Sequence, residues 1–239
     1  MRVLADIGER GIIKIIENIL SRGSEVVGIG DDCAAFEFQG EYLLVSTDMV
    51  TRSTHLPVEM KPWEIGWFIT AVTLSDIAAK GGSPLGMVLS LGLPRETTED
   101  FIIELMRGAD SCIRKYGASI VGGDTKENEE LTLCGTALGV VPKNEFMGRK
   151  GLQVGDVLAV TGVLGKAAAG YLSLQSGILD ENVRKGLFQP HPRIWEGRSL
   201  SKSNRVHACM DLSDGLSASL YQLMELNGLG FEVDAEKIP

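Results

Sequence analysis

Aspartates recur at the points where apolar segments of this 239-residue chain end. Asp31 and Asp32 lie in the stretch GIGDDCAAF (28–36), and further aspartates follow the apolar segments YLLVST, SIVGG and HACM. Taken alone, GIGDDC is typical of a turn, because glycine accepts positive φ angles and aspartate bonds its own backbone. Since the ends of neighbouring strands lie together at one edge of a sheet, we expect these distant carboxylates to converge.

Asp76 is the most informative of the acids. It is the only charged residue in the apolar segment IGWFITAVTLSDIAA (65–79). A helix of this composition is expected to be buried on most of its surface, and a buried carboxylate is costly unless a cation accompanies it. Two alternatives follow from the sequence, a salt bridge to one of the 23 lysines and arginines or a bound metal ion.

The candidate ligands are hard oxygen donors, and no zinc-like spacing of cysteine or histidine accompanies them. Such donors select Mg²⁺ or Ca²⁺ over zinc, and the EF-hand pattern is absent. Dispersed aspartates that bridge Mg²⁺ to the phosphates of a nucleotide fit the set best. The candidates are Asp31, Asp32, Ser46, Thr47, Asp48, Asp76, Asp124, Asp211 and Asp214.

Standard nucleotide and hydrolase motifs are missing from the sequence. The segment TGVLGKAAAG (161–170) lacks the earlier glycine and the final Ser or Thr of a P-loop, and GIGDDC lacks the third glycine of a dinucleotide fingerprint. The kinase motif set and the G-x-S-x-G elbow are also absent. Any nucleotide binding is therefore expected to depend on acids and cations.

The charge balance supports this expectation. Acidic residues outnumber basic ones by 32 to 23, which disfavours a nucleic-acid partner. Two like charges 4 Å apart repel by about 4 kcal/mol at an effective dielectric near 20, so phosphates near the aspartates require cations between them. No apolar stretch approaches the roughly 18 residues of a membrane span. The four scattered cysteines and the lack of a signal peptide predict a cytoplasmic protein.

Periodicity and turn residues predict the elements that position these side chains. Helices are expected at 5–21, 62–80, 97–116, 166–177 and 214–227. Strands are expected at 26–29, 42–47, 87–94, 119–124, 131–141, 157–162, 207–213 and 230–234. A proline- and glycine-containing segment predicts a boundary between domains at 1–142 and 150–239. Because strands and helices mix without strict alternation, we expect an α+β first domain and an α/β second domain.

Several motifs, in order and spacing, carry a family resemblance. They are GIGDDCA, STDM with a histidine seven residues after its aspartate, LSDIAAKGG, GGDT, RKGLQVGD, VTGVLGKAAAG, HPR and MDLSDGLS. Across about 28–220 the chain thereby resembles the thiamine-monophosphate kinases. They belong to the superfamily of aminoimidazole-ribonucleotide synthetase, selenophosphate synthetase and a hydrogenase-maturation protein.

The resemblance implies a two-domain PurM-like fold whose N-terminal sheet forms a homodimer, with active sites in clefts at the interface. It implies direct in-line transfer of the γ-phosphate of ATP to thiamine monophosphate, without a catalytic base and without membrane or nucleic-acid partners. Several Mg²⁺ ions are implied as cofactors. Their implied ligands are Asp32, Ser46, Thr47, Asp48, Asp76, Asp124, Asp211 and Asp214.

The resemblance also implies contacts to both substrates. ATP is expected to contact Gly123, Asp124, Arg149 and Ser213, while His55 binds thiamine monophosphate and Asp31 supports Asp32. From the residues alone, Arg149 is equally consistent with a solvated linker charge, and His55 with a structural histidine.

Two features of the family pattern are not matched. Family members continue past the position of Pro239 through a Gly-Gly-Glu-Asp-Tyr-like segment that helps form the thiamine pocket, so the C-terminal domain is expected to be incomplete. No aromatic residue occurs near 106–107, where some relatives stack on adenine.

The alternatives are a superfamily member with another acceptor and a protein that binds ATP and Mg²⁺ without catalysis. Selenophosphate synthetase would need an N-terminal reactive cysteine, and the maturation protein a C-terminal cysteine tail; neither is present.

Overall fold

The first part of the chain forms a mixed sheet of seven strands. The computed structural model describes residues 3–177 and 180–239. The strands are β1 (Glu25–Val27), β2 (Ala34–Phe38), β3 (Glu41–Thr51), β4 (Ser83–Leu93), β5 (Ile120–Gly122), β6 (Thr125–Glu127) and β7 (Thr132–Pro142). The sheet order is β1-β2-β3-β7-β4-β5, with the short β6 also paired to β4. All pairs are antiparallel except β4 with β5 and β4 with β6.

The described part of the chain contains seven α-helices. They are α1 (Leu4–Ile19), α2 (Pro62–Ala79), α3 (Glu99–Arg114), α4 (Lys166–Ser176), α5 (Glu181–Phe188), α6 (Ile194–Lys202) and α7 (Leu216–Asn227), with short 3₁₀ turns at Lys143–Glu145 and Ala235–Lys237. α2 packs on β3 and β7, and α3, α5 and α6 pack against α2. Within the described ranges no helix is long and apolar enough to cross a membrane.

Helix α2 lies at the centre of the hydrophobic core. Pro62 occupies its first turn, where the missing N–H has no intrahelical partner to lose. The Glu64 carboxylate accepts a hydrogen bond from the Lys61 backbone N–H at 2.8 Å and pairs with Arg184 of α5. Because the sheet, α3 and α6 surround it, most of α2 is buried, which confirms the prediction of a buried helix.

Glycines allow α2 to approach its neighbours closely. A Cβ on Gly66 would lie 1.8 Å from the Leu105 carbonyl oxygen, and a Cβ on Gly108 would lie 1.8 Å from that of Trp63. On the other side of α2, a Cβ on Gly197 would lie 2.2 Å from the Ala78 carbonyl oxygen. Backbone contacts at this distance leave no space for a side chain, so these glycines set the interhelical spacing.

Gly66→Ala is therefore expected to separate α2 from α3 and to lower the free energy of unfolding by about 2–4 kcal/mol. Gly230→Ala is the matched control, because Gly230 is exposed and a Cβ there meets no atom within 4 Å. Urea unfolding followed by circular dichroism measures both. Equal midpoints for the two variants would contradict the close packing of these helices.

The mixed sheet and its helices confirm the α+β fold class, but several elements differ from the sequence prediction. The strands expected at 157–162, 207–213 and 230–234 are wrong, since no ladder in the described part of the chain includes these segments. In the first of these segments Val157 is 89% exposed, whereas the apolar residues of 208–212 are half-buried without belonging to a sheet. A strand is stable only when a neighbour pairs its backbone. The sequence prediction also missed β2, β6, α5 and α6.

Candidate functional site

Four carboxylates from four separate segments meet beside the C-terminal end of α2. Asp32 precedes β2, Asp48 lies on β3, Asp76 lies in the last turn of α2, and Asp211 lies in the irregular segment before α7. One carboxylate oxygen each from Asp32, Asp76 and Asp211 lies within 4.8 Å of the others. We call Asp32, Asp48, Asp76 and Asp211 the acid cluster. The structure thus brings together residues that lie far apart in the sequence, as predicted, but not through a shared edge of strand ends. Asp48 lies within β3 and Asp211 follows no described strand, whereas Asp124, which does follow β5, is not in the cluster.

The alternation of β3 decides which of its residues face the cluster. Ser46 and Asp48 lie on the face covered by α2, and the Ser46 hydroxyl donates a hydrogen bond to the Asp76 carboxylate. Thr47 lies on the opposite face, where its hydroxyl bonds Thr136 Oγ1 at 2.9 Å and the Gly135 carbonyl at 3.1 Å. The structure therefore does not place the Thr47 side chain with the other predicted ligands.

Burial and mutual repulsion make the cluster electrostatically unfavourable. Burial, followed by the charges of Asp48 and Asp211, raises the pKa of Asp76 to about 8. Burial and the charge of Asp32 raise the pKa of Asp211 to about 6, and the same two causes raise the pKa of Asp48. Carboxylates with raised pKa values take up protons or cations in preference to remaining charged and bare.

The cluster has the donor chemistry of a divalent-cation site. Asp76 forms no ion pair with any described lysine or arginine, so the salt-bridge alternative for this residue is wrong. Asp48 Oδ2 is buried and has no hydrogen-bond partner within 3–177 and 180–239. An orphaned carboxylate oxygen beside other hard oxygen donors fits Mg²⁺.

Lys80 is the residue of this site that sequence reasoning missed. Its side chain is 0% exposed, and its ammonium contacts Asp31, Asp32 and the Cys209 carbonyl. Burial lowers the pKa of Lys80, but the charges of Asp32 and Asp31 outweigh burial and raise it above its usual value. The available signal was its position four residues after Asp76, which places both side chains on one side of the end of α2.

Arg149 connects the linker to the same site. Its guanidinium pairs with Asp32 and donates to Gln222 Oε1 at 3.0 Å, and its backbone N–H donates to Asp31 at 2.9 Å. The side chain is 16% exposed, so the solvated-charge alternative is wrong. Asp31 therefore contacts both the Lys80 ammonium and the Arg149 backbone N–H.

The other predicted site residues lie on exposed loops. Asp124 lies between β5 and β6, where it accepts the Thr125 N–H at 2.9 Å. Among described residues, no cation-binding group includes Asp124 or Asp214. Gly123 has a packing role, because a Cβ there would lie 1.9 Å from the Leu89 carbonyl oxygen. Ser213 and Asp214 form the exposed turn that precedes α7.

His55 lies on the exposed turn after β3. Its Nδ1 accepts the Thr51 backbone N–H at 3.3 Å and lies 2.6 Å from Thr54 Oγ1. With Nδ1 accepting, the neutral ring carries its proton on Nε2. The turn therefore fixes the ring and leaves Nε2 available as a donor.

Comparison with known proteins identifies relatives over nearly the whole chain. The family model "AIR synthase related protein, N-terminal domain" matches residues 30–141, and the corresponding C-terminal model matches residues 153–239. A thiamine-monophosphate kinase of Methanospirillum hungatei JF-1 is 38% identical over 231 residues, covering 97% of this chain and 76% of the relative. One of Methanocaldococcus jannaschii is 35% identical over 228 residues, covering 89% of this chain and 70% of the relative.

A solved structure shares the complete described architecture. The structure titled "AaThiL complexed with AMPPCP and TMP" superposes with a TM-score of 0.92 at 29% sequence identity. The match covers 100% of this chain and 76% of that chain.

Proposed function

Because the chain belongs to the thiamine-monophosphate kinase family of AIR synthase related proteins, we propose that it transfers the γ-phosphate of ATP to thiamine monophosphate. The products are thiamine diphosphate and ADP. The observation that supports this proposal is the acid cluster. It brings aspartates from several of the family's motifs together as hard oxygen donors, which could hold the cations that phosphate binding requires.

Several Mg²⁺ ions are proposed as cofactors. Bound there, they would neutralise phosphate charge and align the two reactants. Asp48 and Asp76 support this best, because burial and neighbouring carboxylates raise the pKa of each and no lysine or arginine among the described residues pairs with them. The full proposed ligand set is Asp32, Ser46, Thr47, Asp48, Asp76, Asp124, Asp211 and Asp214, with Thr47 restricted to its main-chain atoms.

Direct transfer suits these residues. An oxygen of the thiamine monophosphate phosphate forms a bond to the γ-phosphorus as the bond from that phosphorus to the bridging oxygen breaks, and ADP departs with the electron pair. The attacking phosphate oxygen carries no proton at neutral pH, so no side chain has to act as a base. The acids of the cluster therefore position charge and do not exchange a phosphoryl group themselves.

Contacts to ATP are proposed for Gly123, Asp124, Arg149 and Ser213. Arg149 uses three of its five N–H groups on Asp32 and Gln222, which leaves donors free for a phosphate oxygen. It can therefore contact ATP without releasing Asp32.

His55 is proposed to donate to thiamine monophosphate through Nε2, which the turn leaves accessible. The domain boundary between 142 and 150 and the cytoplasmic location stay predictions.

A homodimer formed through the sheet is the proposed assembly. The face of the sheet remote from α2 carries exposed apolar side chains, including Met49 on β3 and Leu85 on β4. No described helix packs on this face, since the contacts of α2 to β3 and β7 lie on the other side. An apolar sheet face of this kind is typical of a protein interface.

Met49→Asp is expected to convert the dimer to a monomer, because a charge would be buried at the centre of that face. Val154→Asp is the matched control, since Val154 is 91% exposed in the irregular segment after β7. Sedimentation velocity at micromolar concentration distinguishes the two. A monomeric parent protein, or a Met49→Asp variant that remains dimeric, would contradict the proposed interface.

The activity is tested by incubating the protein with ATP, Mg²⁺ and thiamine monophosphate and separating thiamine phosphates by chromatography. We expect thiamine diphosphate to form in equal amount to ADP, with no product from thiamine itself, which lacks the accepting phosphate. Nucleotide binding without thiamine diphosphate formation would favour a binding protein over a kinase.

A further inference from the structure

Lys80 is buried inside the site without contact to solvent. Its Nζ lies 2.5 Å from Asp31 Oδ1, 2.8 Å from Asp32 Oδ2 and 3.0 Å from the Cys209 carbonyl oxygen. The ammonium donates hydrogen bonds to Asp31 and to the Cys209 carbonyl, and it forms an ion pair with Asp32. The group is thus held by the loop before β2, the end of α2 and the segment before α7.

Lys80 divides the acids of the site into two sets. On one side, the two charges of Asp31 and Asp32 are balanced by Lys80 and Arg149. On the other side, Asp48, Asp76 and Asp211 have no lysine or arginine ion pair within the described residues. The protein therefore supplies directly paired cations to two of these five carboxylates and leaves the other three without an ion pair in the described part of the chain, although the charges of Arg149 and Lys80 also act to lower the pKa of Asp211.

We propose that the Lys80 ammonium is a built-in cation that takes the place of one divalent ion on the Asp31–Asp32 side of the site. Lys80 thereby sets how many divalent ions each protomer takes up, and it fixes Asp32 toward the remaining acids. This inference rests on the proposed divalent-cation site, but it does not depend on which substrate is phosphorylated.

The position of the ammonium explains why a divalent ion would not displace it. The side chain is 0% exposed, and its departure would leave the Cys209 carbonyl without this donor and the two carboxylates of Asp31 and Asp32 with Arg149 as their one remaining cation among the described residues. Breaking a buried ion pair by removing one partner is strongly unfavourable, because the other charge stays buried and unpaired. A divalent ion can take this side only when the lysine charge is removed by substitution.

The test is a count of bound Mn²⁺ per protomer in the absence of nucleotide, by calorimetric titration and by the electron paramagnetic resonance signal of free Mn²⁺. Lys80→Met keeps an unbranched side chain and removes the charge, so it is expected to bind one more Mn²⁺ than the parent protein. The double variant Asp31→Asn/Lys80→Met removes one charge of each sign and should return to the parent count. Lys202→Met, at an exposed position, changes the net charge equally and should leave the count unchanged.

The outcomes separate this inference from the proposed function. A folded Lys80→Met protein with the parent count overturns the role of Lys80 while leaving the cation site intact. A parent protein that binds no Mn²⁺ overturns both. If Lys80→Met does not fold, the comparison is made between Asp31→Asn and Asp31→Asn/Lys80→Met. The double variant must then bind Mn²⁺ with an affinity at least about tenfold higher than Asp31→Asn, because one repulsive unit charge at contact distance has been removed. Equal affinities for the two variants would overturn the inference.

Discussion

Asp76→Asn is expected to lower kcat/KM for thiamine diphosphate formation by about a thousandfold and to abolish Mg²⁺-dependent nucleotide binding. Asp76 is half-buried, has no ion pair with a described lysine or arginine, and contacts Ser46 of β3. Asparagine has the same shape but carries no charge and is a much weaker ligand for Mg²⁺. The protein fold should be retained, because the introduced side-chain amide can still bond the Ser46 hydroxyl and one repulsive buried charge is removed.

Asp110→Asn is the matched control for this substitution. Asp110 is an exposed acid on α3 that pairs with Arg114 at 3.0 Å, so it should change neither nucleotide affinity nor rate. Isothermal titration with AMPPCP and Mg²⁺ measures binding, and thermal unfolding in EDTA confirms that both variants are folded. An Asp76→Asn protein with the nucleotide affinity of the parent would remove Asp76 from the proposed ligand set.

Without divalent ions, the protein should become less stable as the pH rises from about 5 to about 8. Asp76 and Asp211 have folded-state pKa values of about 8 and about 6, whereas both begin from an ordinary value of 3.8 when exposed. Between the unfolded and folded values, the native state binds more protons than the unfolded state, so stability falls with rising pH. The contribution is fully present below the unfolded pKa and is lost as the pH passes through the folded pKa.

Saturating Mg²⁺ should remove or reverse this pH dependence, because the cation binds the deprotonated carboxylates that are unfavourable in its absence. Urea midpoints between pH 5 and 8, with EDTA and with Mg²⁺, measure both slopes. Asp76→Asn should flatten the EDTA slope, since it removes the group with the larger pKa shift. A parent protein whose stability in EDTA rises over this range would show that the acids are neutralised by some other means.

The sequence predicts the central part of the site because local pattern and burial agree there. Asp76 was identifiable as the one charge on an apolar helix, and that helix is buried as expected. Asp32, Asp48 and Asp211 were selected because each follows an apolar run, and all three do reach the acid cluster. The reason given was wrong, since Asp48 lies within β3 and Asp211 follows no described strand, while Asp124 follows β5 and stays outside the cluster.

The remainder of the site depends on contacts that a linear pattern does not contain. A lysine at the end of a helix ordinarily reaches solvent. Lys80 is instead buried, and its ammonium donates to the Cys209 carbonyl, which lies 129 positions later in the chain. Thr47 was grouped with its neighbours in sequence, although alternation along β3 turns its hydroxyl to the other face. The strand predicted at 157–162 failed because apolar residues alone do not provide a pairing partner.

The most direct test of the account is a rapid-quench experiment with ATP labelled in its γ-phosphate, excess enzyme, thiamine monophosphate and Mg²⁺. Direct transfer on the acid cluster predicts that label enters thiamine diphosphate at the rate at which it leaves ATP, and that none is found on the protein. Label on the protein before the product forms would contradict direct transfer. Label released only as inorganic phosphate would contradict the proposed acceptor.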